Sequence, residues 1–304
     1  MAASLRPVSL RPRPRAGARA GAAAAVGFAC AGAAGYGVTV VIGRSLARDG
    51  LAPATALGIR FAIAAAVLGA LLAIRGTARV SSRSLLVLMA LGAIGYAGQS
   101  TLFYLSLQRG TAATSILLFY AYPTLVCAIG WLALREGRPS AVTGAALTLS
   151  VCGSALVAAG GGGAIAVDPL AVVFALGSAL VFGLYVIAGQ RLALGVDAMA
   201  KAAAVAAGAA ITSLAQGALT HGLVSPGGRW LLLVAYGVFT AAAFTLMFAA
   251  LARLGARHTS IVMTLEAVFA VGLAALLLGE SIGLWQGIGG AALLAATGLV
   301  RRAV

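Results

Sequence analysis

Apolar residues run along this chain in blocks of about twenty, broken by short stretches where Arg, Gly, Pro and Asp collect. The hydrocarbon core of a bilayer, about 30 Å thick, takes roughly 20 consecutive apolar residues as a helix. Ten blocks meet that length: 22–42, 52–74, 84–106, 112–134, 141–159, 168–189, 200–220, 230–251, 258–279 and 283–300. The alternation of apolar and polar positions that marks a membrane β-barrel is missing from these unbroken runs. The pattern predicts an all-α membrane protein with ten transmembrane helices, and the short connections leave no room for a separate soluble domain.

Composition agrees. Of 304 residues, 62% are hydrophobic and 9% charged, whereas a soluble domain carries about 25% charged residues. Intrinsic disorder over the whole chain is excluded by the same hydrophobicity. The formal charge of +15 arises from 21 Lys and Arg against 6 Asp and Glu. Such an excess in a soluble chain would point to nucleic acid; here the basic residues fall between the runs, where they set topology. With the N-terminus inside, Arg6, Arg11, Arg13, Arg15, Arg19, Arg75, Arg79, Arg83, Arg135, Arg138, Arg191, Lys201, Arg253, Arg257, Arg301 and Arg302 share one side, against Arg44, Arg48, Arg109 and Arg229 on the other. The asymmetry predicts that both termini are cytoplasmic. The Arg-Pro segment 1–21 reads as a disordered basic tail. It does not read as a cleaved leader, because the apolar run after it exceeds the usual 7–15 residues or so. Cys30, Cys127 and Cys152 lie inside apolar runs, and no metal or redox motif is present.

The two halves repeat at a spacing of about 145 residues. Gly37-x5-Gly43 matches Gly183-x5-Gly189, Thr114-Ser115-Ile116 matches Thr259-Ser260-Ile261, Leu134-Arg135-Glu136 matches Leu278-Gly279-Glu280, and Gly144 and Gly153 match Gly289 and Gly298. Repeat one is expected over 22–159, a Gly-rich linker over 160–167, repeat two over 168–300 and a cytoplasmic C-terminus over 301–304. An odd number of spans per repeat inverts the second copy, a transporter construction that places the site near the midplane between the halves.

These residues also resemble a family. Ile59-Arg60-Phe61, Tyr122-Pro123-Thr124 and Leu132-Ala133-Leu134-Arg135-Glu136 in the first repeat, with Leu265-Glu266-Ala267-Val268-Phe269 and Leu276-Leu277-Leu278-Gly279-Glu280 in the second, are similar to the drug/metabolite transporter superfamily, in its EamA-like ten-helix branch. The resemblance spans about 22–300 and implies a multi-pass secondary transporter of a bacterial-type inner (plasma) membrane, often an exporter of amino acids or related metabolites. Ala267 stands where the family often has proline, so no proline kink is expected in the ninth helix.

Charges inside a bilayer are costly and face a partner or a wet cavity. Arg60 and Glu266 each lie about eight residues into a span. Glu266 reads either as a group binding a substrate ammonium or a proton, or as half of a structural ion pair, with Arg60 as its partner; Arg60 itself reads as structural. Glu136 and Glu280, at span ends, read as gating or solvated turn residues. At helical spacing, Tyr96, Gln99, Ser100 and Phe103 share one face, as do Tyr236, Thr240, Phe244 and Met247; Ser115, Phe119 and Tyr122; and Ser260, Met263 and Thr264. Together with Glu266 these faces predict a substrate cavity with aromatic walls, with Tyr36 and Tyr185 as weaker members, although each residue taken singly reads as helix packing. Pro123 removes a backbone bond and should bend the fourth helix, as a hinge or as a static kink. Gly283, Gly287 and Gly290 form a small-residue face for a homodimer or for packing within the chain.

Three classes of function are compatible with this pattern to different degrees. A secondary transporter of a small-molecule solute, working in the lipid bilayer without cofactor, metal or nucleic acid, fits the repeat and the faces. An intramembrane enzyme lacks its constellation: His221 and His258 are the only histidines, and Gly177-Ser178-Ala179 has no evident base. A lipid-handling or structural membrane protein remains the alternative, and an accessible cavity discriminates it from the first.

Overall fold

The computed structural model describes residues 16–76, 80–109, 112–160, 168–192, 194–278 and 281–303. Among these it is built of helices and turns: α1 (Ala16–Arg48), α2 (Pro53–Arg75), α3 (Ser82–Ala90), a π-helical turn Leu91–Tyr96, α4 (Ala97–Arg109), α5 (Ala112–Phe119), α6 (Tyr122–Leu132), α7 (Ala141–Gly160), α8 (Pro169–Arg191), α9 (Ala198–Leu219), a 3₁₀ turn Gly227–Arg229, α10 (Trp230–Met263), α11 (Glu266–Leu278) and α12 (Leu284–Ala303). They form the ten expected spans. The third joins α3, the π turn and α4, the fourth joins α5 and α6, and the ninth joins the end of α10 to α11. Eight stretches of helix are long and apolar enough to cross a membrane.

Local chemistry sets the boundaries. Pro53 and Pro169 start helices where their missing N–H is harmless. Asp168, Asp197 and Ser81 cap the free amides of Leu170, Met199 and Ser84. Gly76 ends α2 at φ 59°. The Nζ of Lys201 donates to the carbonyls of Leu192 and Gly189 at 3.1 and 3.4 Å, closing the end of α8. α10 carries spans eight and nine, parted at Gly255, whose φ of 74° and ψ of 170° turn the chain back. α1 begins at Ala16, ahead of the expected start at 22, because Ala-rich sequence propagates helix readily; the part of the basic tail at 1–15 lies outside the described residues, as do linker residues 161–167, Glu280 and Val304.

Packing reproduces the repeat. α1 lies on α10 and α11, as α8 lies on the third and fourth spans; α2 pairs with α9, and α7 with α12. Each pairing maps onto another, or onto itself, when the repeats are exchanged. Close crossings use glycine. A Cβ on Gly92 would overlap the Val205 carbonyl and one on Gly208 the Met89 carbonyl; at the repeat-equivalent crossing a Cβ on Gly237 would stand 2.5 Å from Ile63 and 3.0 Å from the Arg60 carbonyl. In lipid such backbone approach replaces the hydrophobic drive of a soluble core. On α12, Gly289 packs on the Gly153 carbonyl of α7 and Gly290 faces Val268, while Gly287 has open space beside it.

Candidate functional site

Two helices break in the middle of the molecule. α5 ends at Phe119 and α6 restarts at Tyr122 with Pro123 in its first turn; α10 ends at Met263 and α11 restarts at Glu266. The intervening amides of Ala121 and Leu265 donate to Leu118 and Val262 at 3.1 and 3.0 Å, a tightened three-residue pattern repeated in both halves. The ninth span therefore breaks without the proline that Ala267 displaces. Irregular backbone at membrane depth is tolerated only within protein or beside a cavity, and Tyr122 and Glu266 occupy equivalent places at the two breaks.

Arg60, 7% exposed, points into the interface of α1, α2 and α10. Its Nε donates to Thr240 Oγ1 at 2.6 Å, Nη1 to the Tyr236 hydroxyl at 3.1 Å and Nη2 to Thr39 Oγ1 at 3.5 Å. The guanidinium carbon lies 4.4 Å from the Tyr236 ring centroid and 5.0 Å from that of Phe61, in cation–π range. The acceptors are fixed in turn: Thr240 and Thr39 donate their own protons to the carbonyls of Tyr236 and Tyr36, leaving lone pairs for the arginine. The ion pair with Glu266 is not formed in this conformation; neutral oxygens take its place.

Glu266 contrasts with Arg60. Its neighbours Leu265 and Ala267 are 3% and 6% exposed, yet Glu266 between them keeps accessible surface. Among the described residues no side chain donates to its carboxylate. The helix it opens packs on α1, where a Cβ on Gly37 would meet Phe269 at 2.6 Å.

Aromatic rings join these points. Tyr96 touches Phe61, Phe182, Tyr185 and Phe244, at 4.8 Å for Phe244. Phe182 continues to Tyr122 at 4.8 Å and Phe119 at 5.4 Å, and Phe119 to Phe103 at 5.4 Å. The π turn ending at Tyr96 adds a residue to that helix turn and re-aims the side chains of α4 beyond it. Among the described residues the rings along this seam pack on one another, and a groove of about 610 Å³ lies between α7 and α12, lined by Leu149, Ala295, Gly298, Leu299, Arg301 and Arg302.

The other expected faces divide. Tyr36, Tyr96, Phe119, Tyr122 and Phe244 converge on the seam, and the Tyr122 hydroxyl donates to the Ser260 carbonyl across the two broken spans at 3.0 Å. Met247 accepts from the Tyr36 hydroxyl at 3.7 Å. Tyr236 and Thr240 serve Arg60. Gln99 is held by Ser178 at 3.1 Å in both directions, and Ser100 turns back to Tyr96. Ser115 bonds Ser106, which donates to the Ala171 carbonyl. The Ser260 hydroxyl returns to Arg257, Thr264 bonds Ser150 of α7, and Met263 is buried beside them. Thr39, Phe61, Phe182 and Ser178 were not singled out as site residues by sequence, although Thr39 lies one turn from Tyr36 on the same face. The buried Tyr185 hydroxyl has no partner among the described residues.

At the Arg-rich end of the bundle Glu136 bridges three elements. Its Oε1 lies 2.7 Å from Arg191 Nη2 and its Oε2 3.5 Å from Arg257 Nη2, which also donates to the Gly137 carbonyl at 3.1 Å. Arg135 takes φ 54°, turning the chain so that Glu136 folds back over Gly130, where a Cβ would stand 2.7 Å from its carboxylate. Sequence assigned both arginines to topology alone. Among the described residues no group of three or more His, Cys, Asp or Glu could hold a metal ion.

Comparison with known proteins adds the family. No curated protein matches this sequence. A crystal structure of a protein of similar length superposes with a TM-score of 0.76 at 19% identity, over 91% of this chain and 96% of its own, a likeness of fold. The family model described as EamA-like transporter family matches twice, at residues 23–159 and 169–302. With two family matches covering most of its length and a ten-helix, two-repeat fold, the chain belongs to the EamA-like transporter family.

Proposed function

We propose that this protein is a secondary transporter that exports amino acids or related small metabolites, driven by a gradient and working by alternating access between its two repeats. The single observation that carries the reading is Glu266: a half-buried carboxylate at the break of the ninth span, without a side-chain donor among the described residues. Its solute site is formed by the seam around Tyr96, Phe119, Tyr122 and Phe244. The cycle opens this seam by swinging the half-helices about their breaks at Tyr122/Pro123 and Glu266. We place both termini in the cytoplasm of a bacterial-type inner membrane, which puts Glu136, Arg191 and Arg257 at the cytoplasmic mouth, closed here, and makes Pro123 and Glu280 further gating positions. Family membership points away from an enzyme.

The test is flux from proteoliposomes loaded with a mixed pool of labelled amino acids and other metabolites, with and without a pH gradient. Selective loss of one compound is expected from the wild type. Glu266→Gln should abolish the part of that flux driven by the proton gradient, and unchanged pH dependence in the variant would overturn coupling through Glu266. The groove beside Arg301 and Arg302 suits an anionic lipid headgroup and sustains lipid handling as the second reading. That reading gains if no solute moves in folded protein while labelled lipid exchanges between leaflets.

A further inference from the structure

We infer that the groove between α7 and α12 is a binding site for an anionic membrane lipid, whose acyl chain lies along the groove and whose phosphate is held by Arg301 and Arg302. The lipid is a resident of this site and does not cross between leaflets, so the inference depends neither on solute transport nor on lipid handling.

The groove lies where the packing departs from the repeat. At one crossing the two helices are in close contact: a Cβ on Gly153 would stand 2.8 Å from the Gly289 carbonyl oxygen, and one on Gly289 2.5 Å from that of Gly153. Gly144 and Gly153 are the repeat equivalents of Gly289 and Gly298, so exchanging the repeats maps this crossing onto Gly298 and Gly144. There a Cβ on either residue would meet nothing within 4 Å. The close crossing is made once, and Gly298 instead lines the groove of about 610 Å³, a volume within the ~300–1,000 Å³ of small-molecule sites.

The chemistry of the lining divides along its length. Leu149, Ala295 and Leu299 make apolar walls, and Ala295 and Gly298 are exposed on the outside of the bundle, where acyl chains are the solvent. Arg301 and Arg302 stand at one end, in the last turn of α12, both exposed and neither in an ion pair among the described residues. The spacing that pairs the glycines places Leu156 and Val157 of the first repeat opposite these arginines, so the charge, like the groove, belongs to one copy alone. A topology signal needs basic residues near a span end but no groove beside them. The helix C-terminus itself repels an anion, so binding is carried by the two guanidinium groups, whose planar forks match phosphate oxygens.

The test is native mass spectrometry of the full chain in detergent, titrated with phosphatidylglycerol or with phosphatidylcholine of the same acyl chains, and challenged with inorganic phosphate at matched ionic strength. Phosphatidylglycerol is expected to bind about tenfold tighter than phosphatidylcholine, through two arginines at its headgroup, and inorganic phosphate to leave it in place. Arg301→Gln combined with Arg302→Gln should bring phosphatidylglycerol to the level of phosphatidylcholine. Gly298→Leu, at a position with open space, fills the groove with both charges intact and should weaken the two lipids alike. Arg75→Gln combined with Arg83→Gln removes two exposed charges of the same predicted side, on α2 and α3 packed against α9, and should change neither. Equal binding of the two lipids, a preference that survives loss of Arg301 and Arg302, or one lost equally with Arg75 and Arg83 overturns the inference. So does displacement by inorganic phosphate, which makes the site one for a free anion, or a dimer in place of bound lipid, which makes the groove an interface between copies. In proteoliposomes the Arg301→Gln, Arg302→Gln chain should exchange labelled phosphatidylglycerol between leaflets at the wild-type rate; a fall in that rate makes the lipid a passenger and ends the resident assignment. Solute flux tests the transporter reading separately.

Discussion

Arg60 shows what a membrane-embedded charge needs in order to persist. Three neutral oxygens and two aromatic faces spread its charge without an acidic partner, and Thr240 makes the shortest of the bonds. Thr240→Val keeps the shape and removes that acceptor. It should destabilise the protein by about 1–3 kcal/mol, the usual cost of leaving a buried donor unpaired, read as a lower unfolding temperature in detergent; an unchanged midpoint would mean that Arg60 finds another acceptor. That Arg60 and Glu266 sit at membrane depth was legible in the chain, since a charge inside an apolar run is conspicuous. That they stay apart was not, because both were counted into their spans from opposite sides and only the crossing of α2 with α10 decides what the guanidinium reaches.

At the scale of elements, the span count came from hydropathy alone, and the breaks only in part. Pro123 announces the restart of α6, but the ninth span carries no such mark and breaks through a tightened turn at Thr264 and Leu265. The π turn at Leu91–Tyr96 is likewise silent in sequence, since its residues are ordinary helix-compatible ones with two glycines. Glycine is too frequent here, at 41 residues, for sequence to separate crossings from filler, yet the structure does so sharply. Gly92→Ala and Gly208→Ala would each drive a methyl into a facing backbone carbonyl and should lower stability by about 1–3 kcal/mol or abolish folded yield. Gly98→Ala and Gly287→Ala, with nothing within 4 Å, should be neutral or mildly stabilising through helix propensity. Thermal unfolding of the four variants separates the two groups; equal midpoints would refute the close crossings.

For the molecule as a whole, the bridge from Glu136 to Arg191 and Arg257 joins the fourth, sixth and ninth spans at one mouth. Arg191 is 44% and Glu136 34% exposed in their side chains, so solvent screens these bonds and they contribute little to overall stability. In the proposed cycle they act on the balance between closed and open states, where even a small bias moves populations. Cys127, 4% exposed and on the helix that ends at this bridge, is a built-in reporter. In a background with Cys30 and Cys152 replaced by serine, Glu136→Gln should speed maleimide labelling of Cys127 about tenfold while shifting the unfolding midpoint little. A labelling rate equal to that of the parent would show that the bridge does not hold this mouth shut.

The sequence by itself determined the solvent this chain folds in, the number of spans and the duplication of its halves. Those properties are carried by runs of about twenty residues and by a constant spacing, which survive any change in how the helices pack. It also marked Arg60 and Glu266, because an ionised group in hydrocarbon is conspicuous wherever it lands. Only the tertiary structure decided that Arg60 is bonded by threonine and tyrosine, that Glu266 has no side-chain donor among the described residues, and that two arginines read as topology signals pair with Glu136. Those outcomes turn on distances of a few ångströms between residues far apart in the chain. In a membrane, where apolar surface faces lipid and helices alike, those distances are set by small-residue crossings and helix breaks that hydropathy does not encode.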